Sequence, residues 1–230
     1  MAGRAAHTRR LALLAILAVA RGRGVARERL IGLLWPDQRT DAARHSLSES
    51  LYVLRKELGE GALVNAGGEI VLGADAVCSD VAEFQREVEE GNLEGAVRLY
   101  RGPFLDGFYV GDAPEFERWA EGERARLAHA YAHAVECLAQ VAEREGRLRD
   151  AAEWWRRLAV QDPYSSVVGV RLVQALDAAG ERAGALWFAR THVTLLREEL
   201  GVEPDEEFTA LVARLESEPV HVPPAPAALP

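Results

Sequence analysis

Asp41-Ala42-Ala43-Arg44-His45-Ser46-Leu47-Ser48-Glu49-Ser50-Leu51-Tyr52-Val53-Leu54-Arg55-Lys56-Glu57-Leu58, closed by Gly59, is the stretch on which the fold turns. On a helical wheel with Leu47 at the origin, Ala43, Leu51, Leu54 and Leu58 fall within about 40° of it, a single narrow stripe fit for burial. His45, Ser48, Glu49, Tyr52 and Lys56 occupy the opposite side, with Arg44 and Arg55 on the flanks. The pattern predicts an amphipathic helix over 41–58 whose outer side is rich in hydrogen-bonding groups.

Upstream of it, residues 26–34 predict a short helix with Leu30, Leu33 and Leu34 inward, stopped at Trp35-Pro36. The stop arises because the residue before a proline resists the helical region. Residues 8–21 predict an earlier helix, ended by Gly22 and Gly24. After Gly59, Leu63-Val64-Asn65 and Glu69-Ile70-Val71-Leu72 flank Ala66-Gly67-Gly68, the pattern of a β-hairpin. Three helices and a hairpin make a winged helix-turn-helix, in which a polar helix face can read base edges in the DNA major groove. On that reading Arg44, Arg55 and Lys56 serve phosphates or guanine edges, and His45, Ser48 and Tyr52 reach bases or backbone oxygens. Gly67 and Gly68 form a wing tip slim enough to approach the phosphate backbone. Arg4, Arg9, Arg10, Arg21 and Arg23 add nonspecific attraction, several of them only solvating helix ends. Asp41 and Glu49 act against phosphate.

Charge is divided along the chain. Its net charge of −9 alone disfavours nucleic acid, yet residues 1–78 carry eleven basic and eight acidic side chains, a balance of +3, leaving −12 for residues 79–230. Such asymmetry suits a phosphate-facing module joined to an acidic one. Arg9-Arg10 followed by the apolar run Leu11–Ala20 imitates a secretory signal. The run is too short to span a bilayer, and the residues from Arg21 onward continue a small domain, so a buried first helix is the preferred reading. Cys78 and Cys137 lie far apart without metal-ligand spacing and read as two reduced, packed thiols.

From Asp80 to about Ser217 the pattern is helical and it repeats. Gly146, Ala151, Ala152 and Trp154 return 34 residues later as Gly180, Ala185, Leu186 and Phe188, and Gln140 returns as Gln174. That period, with small residues where helices cross, is the tetratricopeptide pattern. Gly91 with Ala96 suggests a third helix pair. Trp154 and Trp155 read as repeat-packing residues, with Trp155 the one open to solvent. Residues 218–230 form a proline-rich tail or linker. No phosphate loop, dinucleotide fingerprint, His-Glu-x-x-His or Gly-x-Ser-x-Gly occurs, and His129/His133 lack a third ligand. The chain is therefore expected to be no enzyme, with no catalytic residue, no cofactor and no metal.

Arg10–Leu17, Arg27–Pro36, Ala43–Ser48 through Tyr52 and Leu54–Gly59 resemble the winged-helix part of antibiotic-regulatory-protein-type (SARP-like) activators. Asp80–Phe84, Leu99–Phe108, Ala113–Trp119 and Leu196–Pro204 are similar to the family's bacterial transcriptional activator domain. The resemblance implies a mainly α protein: a winged helix over 8–76, then an all-α, tetratricopeptide-like domain over 80–217. It also implies a cytoplasmic transcription regulator, an activator, binding double-stranded DNA through helix 41–58 and wing 62–72. The helical domain would serve homodimerisation or contacts with RNA polymerase, and no membrane is involved. Two departures stand out. The family's winged helix opens with N-terminal strands, whereas here about eight residues precede the first helix, so the strands are expected to be lacking and one side of that helix exposed. The recognition helix carries Ser48, Glu49 and Val53 where glutamine or arginine is frequent. A protein-interaction scaffold with a degenerate winged helix that no longer binds DNA therefore stays open as the alternative.

Overall fold

The computed structural model describes residues 2–73 and 77–217, with side chains from residue 5 onward. Among these residues it is mainly helical, with ten α-helices and one small sheet. The chain divides into two compact units, Met1–Ala134 and Val135–Pro230. The proline-rich tail and the side chain of Arg4 lie outside the described residues.

The first unit opens with α1 (Ala2–Ala20), which begins six residues before the predicted start. Ala12, Leu13, Ile16 and Leu17 are buried, so the apolar run is a core helix. No described helix is long and apolar enough to cross a membrane. The expected exposure of one side of α1 is confined to Leu11 among its large apolar residues. The core joins α1 to Val110, Ala113, Phe116 and Ala120 as well as to the winged-helix residues. The Arg9 guanidinium fastens the same region by donating to the carbonyls of Leu34 and Gly111, both at 3.0 Å.

Next come β1 (Val25–Ala26), α2 (Arg27–Leu34) and α3 (Thr40–Leu58). The hairpin β2 (Leu63–Ala66) and β3 (Glu69–Leu72) comes after them. The sheet order is β1-β3-β2, antiparallel throughout, with Leu63 opposite Leu72 and Val25 opposite Ile70. Strand β1 was not expected: two residues carry no alternation to read. Gly24 permits it, since a Cβ there would stand 2.7 Å from the Cβ of Glu69. At the hairpin tip Gly67 (φ +60°) and Gly68 (φ +91°) both occupy the left-handed region that a tight two-residue turn demands.

The remainder of this unit comprises α4 (Asp80–Glu90), α5 (Leu93–Leu99), a loop and the start of the 31-residue α6 (Pro114–Arg144). The second unit takes the end of α6 and then α7 (Leu148–Gln161), α8 (Ser166–Ala178), α9 (Arg182–Leu195) and α10 (Glu206–Ser217), with a π-helical turn at Leu196–Leu200. The repeat read from the sequence is structural. Gly146 (φ +71°) and Gly180 (φ +80°) end α6 and α8, each succeeded by an N–H bonded five residues back: Arg147 to Ala142 and Glu181 to Leu176. Gly91 (φ +78°) ends α4 the same way, with Asn92 bonded to Glu87, so the third echo is real. Ala151, Ala152 and Ala185 are fully buried, as close-packed helix pairs require.

Two aromatic and thiol expectations change. Trp155 is buried at 2% exposure, its indole N–H donating to Glu143 at 2.8 Å, whereas Trp154 is the half-buried ring, lying under Arg157. Both cysteines are free thiols, but Cys78 is exposed rather than packed, its thiol donating to Glu83 at 3.1 Å. That bond and the Glu83 charge push the thiol's pKa up.

Candidate DNA-binding face

Helix α3 buries Ala43, Leu47, Leu51 and Leu54, as its stripe requires. Leu47 alone, fully enclosed, contributes about 1.5–3 kcal/mol of transfer free energy. Leu58, counted in the stripe, is instead 37% exposed, because the helix ends there and Gly59 (φ +103°) turns the chain away from the core. Ser50 is buried too, its hydroxyl donating to the Ser46 carbonyl at 2.8 Å, so an inward serine costs no unpaired group.

Arg44, His45, Ser48, Glu49, Tyr52 and Lys56 are all exposed, Tyr52 by 67%. Arg44, His45, Tyr52 and Lys56 make no hydrogen bond or ion pair among the described residues, so their donors are available to an incoming anion or base edge.

Arg55 is placed differently. It is half-buried, and its Nε donates to the Leu63 carbonyl at 2.9 Å, tying the end of α3 to the first strand of the wing. One of its five N–H donors thus braces the wing, and its Nη groups make no bond among the described residues. The more distant arginines are also largely taken up. Arg9 holds two carbonyls, Arg21 pairs with Glu89, and Arg23 donates to the Ala20 carbonyl at 3.2 Å. Arg10 is half-buried, with its Nε enclosed and unpartnered.

The residue missed by sequence reasoning is Arg27, the first residue of α2. Its Nη2 donates to Ser48 Oγ at 3.0 Å, and its backbone N–H donates to the Gly68 carbonyl at 3.4 Å. One residue thus links the wing tip to the middle of the exposed face of α3. The available signal was its position just before an inward-facing leucine series, where a cation is not needed for the core. Ser46, two residues earlier on α3, donates to Gln38 Oε1 at 3.1 Å and fixes the turn between α2 and α3.

The structure therefore brings together Arg44, His45, Ser48, Tyr52 and Lys56 on one helix, with Gly67 and Gly68 linked to it through Arg27, and places Arg55 half-buried at the flank beside the wing. Asp41 and Glu49 are exposed on the same helix. The face is a mixed one, with donors predominating.

A winged helix-turn-helix followed along the chain by paired helical repeats is the class of protein this arrangement defines. The bacterial transcriptional activator domain model matches residues 79–216, and the chain belongs to that family. It is similar to the transcriptional regulatory protein EmbR of Mycobacterium tuberculosis, 28% identical over 89% of this chain and 56% of EmbR. It is 30% identical to the transcriptional regulator RedD of Streptomyces coelicolor, over 84% of this chain and 59% of RedD. A structure of M. tuberculosis EmbR in complex with a low affinity phosphopeptide superposes with a TM-score of 0.61, at 24% identity, over 92% of this chain and 60% of that one. That likeness supports the fold. The chain spans somewhat more than half the length of the curated relatives it matches.

Proposed function

We propose that this chain is a DNA-binding transcription regulator of the activator type, acting in the cytoplasm as a binding protein rather than an enzyme. Residues 8–76 form its DNA-binding domain, and residues 80–217 serve homodimerisation or contact with RNA polymerase. Helix α3 enters the major groove with Arg44, His45, Ser48, Tyr52 and Lys56, while Gly67 and Gly68 bring the wing to the adjacent backbone. Arg55 supports the wing from behind, and Arg27 joins the contact set.

The observation that carries this reading is the set of unpaired donors on the exposed side of α3, beside a wing held to that side by Arg27. Family membership and the regulators it resembles support it.

The test is fluorescence anisotropy of the purified chain with duplex from its own upstream region, titrated against salt. The expected result is tighter binding than to a scrambled duplex, with affinity falling steeply as salt rises. Absence of binding at low salt would overturn the reading in favour of a scaffold built on the helical repeats.

A further inference from the structure

Away from α3, the first unit contains an open cleft of about 410 Å³ between α4, the 100–106 loop and the middle of α6. Its walls are Val81, Phe84, Leu99, Phe104, Leu105 and Leu127, and the ring of Tyr100, stacked on Tyr131 at 4.3 Å between centroids, closes one end. The size is that of an ordinary small-molecule site, and the apolar walls with few polar groups match one as well.

The loop that forms the outer wall is held in a costly conformation. Leu105 sits at φ +53°, a region a leucine rarely enters. Arg124 holds it there: Nε donates to the Phe104 carbonyl at 2.8 Å and Nη2 to the Leu105 carbonyl at 3.1 Å. Glu121 orients that guanidinium from 3.0 Å, and Phe104 sets its ring edge-on against Trp119. A backbone strained and then pinned by buried-side bonds is the pattern of a preformed clamp.

The polar groups of the rim are unequal. Asp80 is engaged, its Oδ1 accepting from the Val81 N–H at 2.7 Å. Arg101 is exposed and makes no hydrogen bond or ion pair among the described residues. It borders this cleft and also a second one beside α1, formed with Leu14, Ala15 and Ala18. A free guanidinium above an apolar floor selects for an apolar body carrying one anionic group, and its fork matches a carboxylate. Asp80 and Asp106, both at the rim and both charged, disfavour a second negative group on the ligand.

We infer that this cleft binds a small, largely apolar monocarboxylate, its body against Leu99, Phe104 and Leu127 and its carboxylate on Arg101. The site is independent of the face on α3.

The experiment uses the full chain, indole-3-propionate and the uncharged carboxamide of that acid, with affinities and contact positions read from ¹H–¹⁵N amide shifts. The acid is expected to bind at least about tenfold tighter than the amide, the scale of a charge-assisted hydrogen bond. Shifts should cluster over residues 99–107, and Arg101→Gln should remove the acid's advantage while leaving the amide's affinity unchanged. Arg101 is exposed, so that variant keeps the fold. Equal affinity of acid and amide for the unaltered chain would overturn the inference. So would shifts confined elsewhere, or no binding of either probe.

Discussion

The Arg27 guanidinium donates to the Ser48 hydroxyl at 3.0 Å, joining the first residue of α2 to the centre of the exposed face of α3. Because the backbone N–H of the same residue bonds the Gly68 carbonyl, the helix face and the wing tip share one support. A duplex lying across both would meet Arg27 at the junction, where its remaining donors can reach phosphate. Arg27→Ala is therefore expected to weaken duplex binding by about 10- to 150-fold, the equivalent of the roughly 1.5–3 kcal/mol of a hydrogen bond to a charged group. Ser48→Ala leaves the guanidinium in place and should cost less. Measured side by side by anisotropy, the reverse ranking would remove Arg27 from the contact set.

Arg44 and Lys56 stand at opposite ends of the exposed face, free of other partners among the described residues. Each replaced by alanine should weaken binding, and removing one cation from phosphate should lower the slope of log K against log salt by about one. Arg55→Ala behaves differently: it releases the Leu63 carbonyl, so unfolding by urea should detect it more strongly than duplex binding does. If both Arg44→Ala and Lys56→Ala bind as the parent does, the DNA face lies elsewhere.

How far the sequence alone could be read depends on how local each signal is. The stripe Ala43, Leu47, Leu51, Leu54 is a property of one helix, and it survives into the core unchanged. The Gly146/Gly180 repeat is legible because each glycine closes a helix locally, by its own positive φ. At Arg55 and Arg9 the charge is visible in the sequence while the carbonyls they bind are not. Leu63, Leu34 and Gly111 become partners only after the chain has folded. The same holds for Leu58, inward by periodicity and outward because the helix stops. Strand β1 depends on a missing side chain at Gly24, a negative signal that no periodicity can register.

That dependence is testable. Gly24→Ala places a Cβ 2.7 Å from the Cβ of Glu69, a contact that neither backbone can avoid without moving β1 off β3. Overpacking of this kind costs about 1–3 kcal/mol. Gly67→Ala meets open space but keeps φ +60°, and should cost about 1–2 kcal/mol from backbone strain alone. Urea denaturation distinguishes the two by adding Glu69→Gly, which relieves the first variant and leaves the second unchanged.

His192 gives the second unit a dependence on pH. It is buried at 3% exposure, between Phe188 and Phe208 with ring centroids 5.8 and 4.9 Å away, and its Nε2 has no partner. Burial pushes its pKa below the usual histidine value of 6.5, against the weaker opposing pull of the Pro163 carbonyl and the Asp205 charge. Between the lowered folded value and 6.5 the unfolded chain binds the extra proton and the folded chain does not. The stabilisation from a neutral His192 is thus fully present above pH 6.5 and is lost as pH falls through that window toward the folded value. Thermal unfolding should show a lower midpoint at about pH 5.5 than at about pH 7.5. His192→Phe should reduce that difference, since phenylalanine fills the aromatic stack without a titrating group. A pH dependence identical in the variant would mean that other groups, not this ring, carry it.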